Sequence, residues 1–369
     1  MAATTESGAL ATIAADGVAG LTARIEELHR AIADRSFRSP GAAPARAVHD
    51  AIAGAVYACV RRAGHAAGTV AAATLPDRRL SATPRGAAVQ SALNGWLGDR
   101  LAAERSPLAV EMAVRVDGHD LALEPGAVAD AFPDATGRIV VFTHGLGESE
   151  TAWRLRARTR GGTYATALRE AHGTTAVFVR ANTGLPIADN GVRLADLLER
   201  LIPAWPVSVE RVDLIGHSMG GLIGRCACHT AAERGHAWLG ALRVTVTLGT
   251  PHRGAPLEQA AARTAQLLAL VPEAAPLGAV IDSRSAGIKD LRVGVDLPPH
   301  AGARHYAVAA TLTASERHVV ARALGDALVL LPSAHHGFAE DVIAHVGGID
   351  HLALLNDPRV EQRLLAWLS

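Results

Sequence analysis

Between Arg138 and Pro251 short apolar runs alternate with longer stretches of helical character, and this alternation leaves few folds open. The runs are RIVVFTHG (138–145), TTAVFVRANTG (174–184), VDLIGHS (212–218) and LRVTVTLGTP (242–251). They are continuously apolar rather than alternating, which marks strands buried on both faces. The stretches between them, near Gly162–His172, Gly191–Ile202 and from Met219, then supply right-handed parallel crossovers. Upstream, LAVEMAVRVDGHDLAL (108–123) alternates apolar and polar residues around Asp117-Gly118, a preferred pair for a tight hairpin turn. The pattern predicts an α/β chain: a mostly parallel, doubly wound sheet that opens with an antiparallel hairpin. Residues 1–106, rich in alanine, leucine and arginine, read as a helical segment preceding a sheet domain over 107–369.

Composition removes several functional classes. With 369 residues, 49% apolar and 20% charged, the chain can bury a large core. Its 36 basic and 36 acidic residues cancel, so no net field recommends nucleic acid or an anionic membrane as partner. Cys59, Cys226 and Cys228 form no disulfide framework, because the last two diverge on a helix, and this fits a reducing compartment. The first residues, MAATTESGALATIAADGVAGL, lack a basic start and an unbroken apolar core, so they do not read as a secretory signal, and a cytoplasmic location is expected. The most apolar later stretch, Ala51–Leu75, is broken by Arg61, Arg62 and His65 and is not expected to span a membrane.

The run VDLIGHSMGG (212–221) passes from a buried strand straight into a helix, with one serine at the apex. Such a turn strains the apex residue and needs small neighbours so that strand and helix can approach. Gly216 and Gly220 provide that clearance. The apex side chain projects at the carboxyl ends of the strands, where open α/β sheets bind ligands, which makes Ser218 a candidate nucleophile. A serine hydroxyl needs a base, and the oxyanion it creates needs donors already aimed at it. The glycines of FTHGLG let the Leu146 amide turn toward the serine, and the Met219 amide opens the following helix. Together they form a candidate oxyanion hole.

These motifs, HGLGES after one strand, RANTGLPIADNG after the next, GHSMGG at the elbow and LGTPHRGAPLE after the sixth, resemble the α/β-hydrolase superfamily. Within it the chain is similar to the lipase and esterase branch that includes the GPI inositol-deacylase-like proteins, over about Leu108 to Ser369. The resemblance implies an α/β-hydrolase fold and acyl-ester chemistry. It also implies the chain order nucleophile, acid, histidine. On that order Asp326, in the loop after the strand ARHYAVAATL, takes the acid's place, with Asp296 and Asp341 as rival carboxylates. His351, after the last strand DVIAHVGG, takes the base's place, with His335 and His336 nearer the acid loop and His345 inside the strand.

Four further residues of the strand-end loops, His144, Asn182, His217 and His252, are candidates for lining the substrate site, each against the plainer role of closing or packing a turn. No Cys or His cluster has metal spacing and no glycine-rich phosphate loop follows a strand, so no cofactor is inferred. Between about 254 and 303 the chain makes an apolar helical excursion that reads as a cap above the serine and favours apolar acyl groups. The expected function is a serine hydrolase acting on small-molecule or lipid carboxylic esters through an acyl-enzyme. The alternative is a noncatalytic hydrolase-fold scaffold with a partner-binding helical amino terminus. The amino-terminal helices are expected to pack on the sheet domain, and removing residues 1–106 is expected to spare Ser218 chemistry.

Overall fold

The computed structural model describes residues 5–37, 43–76, 79–270, 274–334, 336–339 and 342–369. One compact unit, formed by Ser81–Ala102, Ala109–Glu258 and Ser285–Ser369, is built on an eight-stranded sheet. Its strands are β1 (Ala113–Val116), β2 (His119–Asp120), β3 (Arg138–Thr143), β4 (Thr175–Arg180), β5 (Arg211–His217), β6 (Leu242–Leu248), β7 (Arg304–Thr311) and β8 (Ile343–Gly347). The spatial order is β2-β1-β4-β3-β5-β6-β7-β8. β1 runs antiparallel to both neighbours, and every other pair is parallel. The hairpin turns at the expected pair, with Asp117 at φ 48° and Gly118 at φ 83°, both in the region a tight primed turn requires.

The apolar runs are buried from both sides because alternate side chains enter different cores. In β3, Ile139 and Val141 join one cluster with Leu194, Leu198, Leu222 and Trp238, while Val140 and Phe142 join the other with Trp153, Tyr164, Leu354 and Leu364. Each such fully buried side chain contributes about 1.5–3 kcal/mol relative to exposure. The crossover helices begin where local chemistry dictates. Tyr164–His172 starts after Thr163, whose hydroxyl accepts from the Thr166 amide in a capping box. Ile187–Ala204 starts directly after Pro186 at the N-cap, a few residues earlier than the periodicity alone indicates.

The helix Pro84–Ala103 departs from the expected division at residue 106, since Pro84 to Ala102 belong to the sheet unit. The physical reason is a set of close backbone contacts. The Ser285 hydroxyl donates to the Gly95 carbonyl at 2.6 Å, the Asp99 carboxylate accepts the Ala286 amide at 2.8 Å, and Asn182 Nδ2 donates to the Gly98 carbonyl at 3.0 Å.

A second unit comprises Met1–Leu80, Ala103–Leu108 and Gln259–Arg284. Its helices Glu6–Ser36 and Ala43–Thr74 run antiparallel. Small residues let them approach closely: Gly68 faces Ala15, where an added methyl would meet the Ala15 Cβ at 2.4 Å. Glu26, 7% exposed, is held between Arg30 and Arg61. Most of the excursion expected over 254–303 therefore groups with the amino-terminal helices. Its helix Ala275–Asp282 packs on Glu6–Ser36, while Ala286–Asp290 belongs to the sheet unit. Among the described residues no helix is long and apolar enough to cross a membrane.

Candidate functional site

Ser218 stands at the apex between β5 and the helix Met219–Arg234, at φ 52° and ψ −122°, a conformation that costs a non-glycine residue about 1–3 kcal/mol. Packing enforces it. A methyl on Gly216 would lie 2.4 Å from the Gly221 nitrogen, and one on Gly220 would lie 2.4 Å from the Thr143 carbonyl oxygen, so the helix rides directly on β5 and β3. The Ser218 amide donates to the Leu248 carbonyl at 2.8 Å. The elbow is thus pinned to β6, and its side chain is left partly exposed at the strand ends.

The loop after β3 is pinned on both sides of Leu146. The Gly145 amide donates to Glu148 Oε2 at 2.8 Å and the Gly147 amide to Thr183 Oγ1 at 2.9 Å. A methyl on Gly145 would lie 3.0 Å from Ser218 Cβ, which sets this loop against the serine. Met219 is the first residue of its helix, where backbone N–H groups have no intrahelical acceptor and the helix dipole is positive.

Asp326 and His351, 25 residues apart, meet in the interior. Asp326 Oδ2 accepts from His351 Nδ1 at 2.7 Å, and the His351 amide donates to the Asp326 carbonyl at 3.0 Å. The other carboxylate oxygen, Oδ1, accepts the amides of Leu328 and Val329 at 3.0 and 2.8 Å. With Nδ1–H committed to the carboxylate, Nε2 of the neutral ring is the acceptor. That atom is buried and has no hydrogen-bond partner among the described residues. The ring lies at the elbow: a methyl on Gly249, next to the Leu248 carbonyl that holds Ser218, would meet His351 Nδ1 and Cε1 at 3.0 Å. The rival Asp296 is exposed, and His345 is paired with Thr311 at 2.8 Å. Asp341 and His335 lie outside the described residues.

The four residues expected to line the substrate site are all interior, at 0–1% exposure, and their polar atoms face the scaffold. His144 donates from Nδ1 to the Gly145 carbonyl at 2.9 Å and accepts the Ala181 amide at Nε2 at 3.0 Å. Burial holds its pKa below the ordinary histidine value, against the pull of the Gly145 carbonyl. Asn182 accepts the Gly184 amide at 3.1 Å and closes a turn. His252 contacts Thr247 Oγ1 at 3.4 Å and stacks obliquely on Phe338. Burial, then nearby Arg225, push its pKa well below the usual value.

His217 is different, because both its ring nitrogens face acceptors: Glu148 Oε2 at 3.1 Å and the His351 carbonyl at 3.2 Å. Burial works against its charge, but the Glu148 carboxylate, the His351 carbonyl and Asp326 together raise the pKa. Glu148 shows the converse. Burial pushes it up, and His217 with the Gly145 amide brings it down to about 2. Glu148 lies within HGLGES, where residue type alone does not single it out. The available signal was an acid three residues after a glycine whose amide needs an acceptor in a tight turn. Among the described residues no group of three or more His, Cys, Asp and Glu could hold a metal ion.

Residues 134–354 match the family model described as PGAP1-like alpha/beta domain. Among solved structures the chain is similar to Bacillus licheniformis lipase BlEst2 in its mature form, at 19% identity and a TM-score of 0.45, over 63% of this chain and 92% of that one. It is also similar to a thermophilic esterase from Thermogutta terrifontis, at 15% identity and a TM-score of 0.39, over 63% and 90%. Naproxen esterase from Bacillus subtilis follows at 13% and 0.37, over 64% and 84%. No curated protein sequence matches. The match covers more than half of the chain, so the chain belongs to the PGAP1-like alpha/beta family.

Proposed function

We propose that this protein is a serine hydrolase of carboxylic esters, with Ser218 as nucleophile, His351 as base and Asp326 as the acid that orients it. The observation that carries the reading is the buried Asp326–His351 pair, which leaves Nε2 without a partner beside the strained elbow of Ser218. In the first half-reaction Ser218 Oγ attacks the acyl carbon while His351 Nε2 takes its proton. The amides of Leu146 and Met219 receive the oxyanion, and collapse expels the alcohol with that proton. In the second, His351 deprotonates a water that attacks the acyl-enzyme, and the carboxylic acid leaves as Ser218 recovers its proton. Asp326 stays ionised throughout and stabilises the imidazolium.

The apolar composition of residues 254–303 supports an apolar acyl group. A reducing compartment such as the cytoplasm fits the free thiols of Cys226 and Cys228, which burial pushes up to about 11 and about 12. The test is labelling with a fluorophosphonate probe followed by turnover of p-nitrophenyl esters of increasing chain length. The expected result is stoichiometric labelling of Ser218 and a preference for longer chains. Folded protein that stays unlabelled would overturn the proposal and leave the noncatalytic scaffold.

A further inference from the structure

Three backbone segments must hold their places for the proposed chemistry: the loop carrying Leu146, the elbow carrying Ser218 and the turn carrying His351. One side-chain pair touches all three. Glu148 Oε2 accepts both the Gly145 amide and His217 Nδ1, and His217 Nε2 donates to the carbonyl of His351. A neutral imidazole has one N–H and can satisfy only one of these two acceptors, whereas an imidazolium satisfies both. The ring is fully buried, edge-on to Trp153 at 6.4 Å and tilted 43° against the His351 ring at 4.8 Å. The charged or titratable groups around the pair are Asp326 and His351 on the His217 side and His144 on the Glu148 side. His144 already spends its one proton on the Gly145 carbonyl and cannot neutralise Glu148.

We propose that Glu148 and His217 form a permanently charged positioning pair, a buried carboxylate–imidazolium clamp that sets the oxyanion loop, the elbow and the His351 turn in register for acyl transfer. The inference rests on the reading of Ser218 as nucleophile. His351 is then fixed at three points: its amide and Nδ1 on Asp326, and its carbonyl on His217. The clamp touches no reacting atom. It acts by holding Nε2 and the Leu146 amide where the transition state needs them, and small displacements of such groups are costly. Glu148→Gln preserves the shape and removes the charge. With its oxygen at the Oε2 position it can still accept both the Gly145 amide and Nδ1–H of a neutral His217, whose Nε2 then has no proton for the His351 carbonyl, so the variant removes the charge and releases that one arm while keeping the shape.

The test has two arms on the full chain. In the first, histidine-ring ¹H–¹⁵N spectra of the wild type are recorded from about pH 6 to about pH 9. Both nitrogens of His217 should remain protonated throughout, and in Glu148→Gln the ring should become neutral within that range. A neutral His217 in the wild type overturns the inference without any variant having to fold. In the second arm, Glu148→Gln should lose about 10- to 100-fold in kcat on a p-nitrophenyl ester with KM unchanged within about twofold. An unchanged kcat in the folded variant, or a loss confined to KM, overturns it. Failure of the hydrolase reading is distinct, since it would appear as an unlabelled Ser218 in the wild type.

Discussion

Gly95, midway along the helix Pro84–Ala103, lies against Gly147 in the loop after β3, so closely that a methyl on Gly95 would sit 2.9 Å from the Gly147 Cα. The contact is backbone against backbone, and neither partner can swing aside. The helix therefore buttresses the loop that presents the Leu146 amide. Gly95→Ala should displace that loop and lower kcat by about tenfold or more, with little change in KM, because the proposed oxyanion donor would act mainly in the transition state. Steady-state kinetics check this, and a variant with wild-type kcat would show the contact to be slack.

The same contact revises the expectation for truncation. Deleting residues 1–106 removes the buttress and should abolish probe labelling of Ser218. Deleting residues 1–80 leaves Pro84–Ala103 in place and should retain labelling. Equal labelling of the two truncated proteins would contradict the assignment of this helix to the site.

Ser218→Ala and His351→Ala should each reduce ester turnover to background, and the double variant should be no worse, because in the proposed mechanism the two act as one unit. Loss at His336→Ala with His351→Ala active would move the base elsewhere.

Asp326→Asn should keep the fold, since Oδ1 still accepts the Leu328 and Val329 amides, but the ring loses the carboxylate that sets its tautomer and stabilises its charge. A fall in kcat of about 10³–10⁴ is expected. A fall of less than about tenfold would remove Asp326 from the mechanism.

Buried histidines give stability opposite pH dependences. His144 and His252 have pKa values held below 6.5, so the unfolded chain binds protons that the native state refuses. Their contribution is complete above about pH 6.5 and is lost as pH falls below it. His217 is raised, so its contribution is complete below about pH 6.5 and is lost as pH rises through its folded value. Glu148, depressed to about 2, contributes above about pH 4.5 and loses that contribution as pH falls from there toward about 2. Replacing His252 by Gln should flatten the acid-side fall in Tm between about pH 6.5 and about pH 5. An unaltered slope would mean that His252 is charged in the folded protein.

What could be read from the residues alone is whatever depends on near neighbours in the chain. The runs 138–145, 174–184, 212–218 and 242–251 announce buried parallel strands because their apolar residues do not alternate. Asp117-Gly118 announces its turn through positive φ, and Gly216 and Gly220 announce the elbow because only small residues let that helix lie on β5 and β3. Partner choice across long separations was left to the tertiary structure. Asp326, Asp296 and Asp341 are equivalent as carboxylates in loops, and only packing brings Asp326 Oδ2 to 2.7 Å from His351 while leaving Asp296 in solvent. Burial was equally hidden: His144, Asn182, His217 and His252 sit at strand ends, where side chains commonly meet ligands, yet neighbouring loops close over them and turn their polar atoms inward. The allegiance of Pro84–Ala103 was decided the same way, by the backbone contacts of Gly95 and Gly98 with loops that follow it by fifty residues or more in the sequence, contacts that leave no mark on the helix's own periodicity.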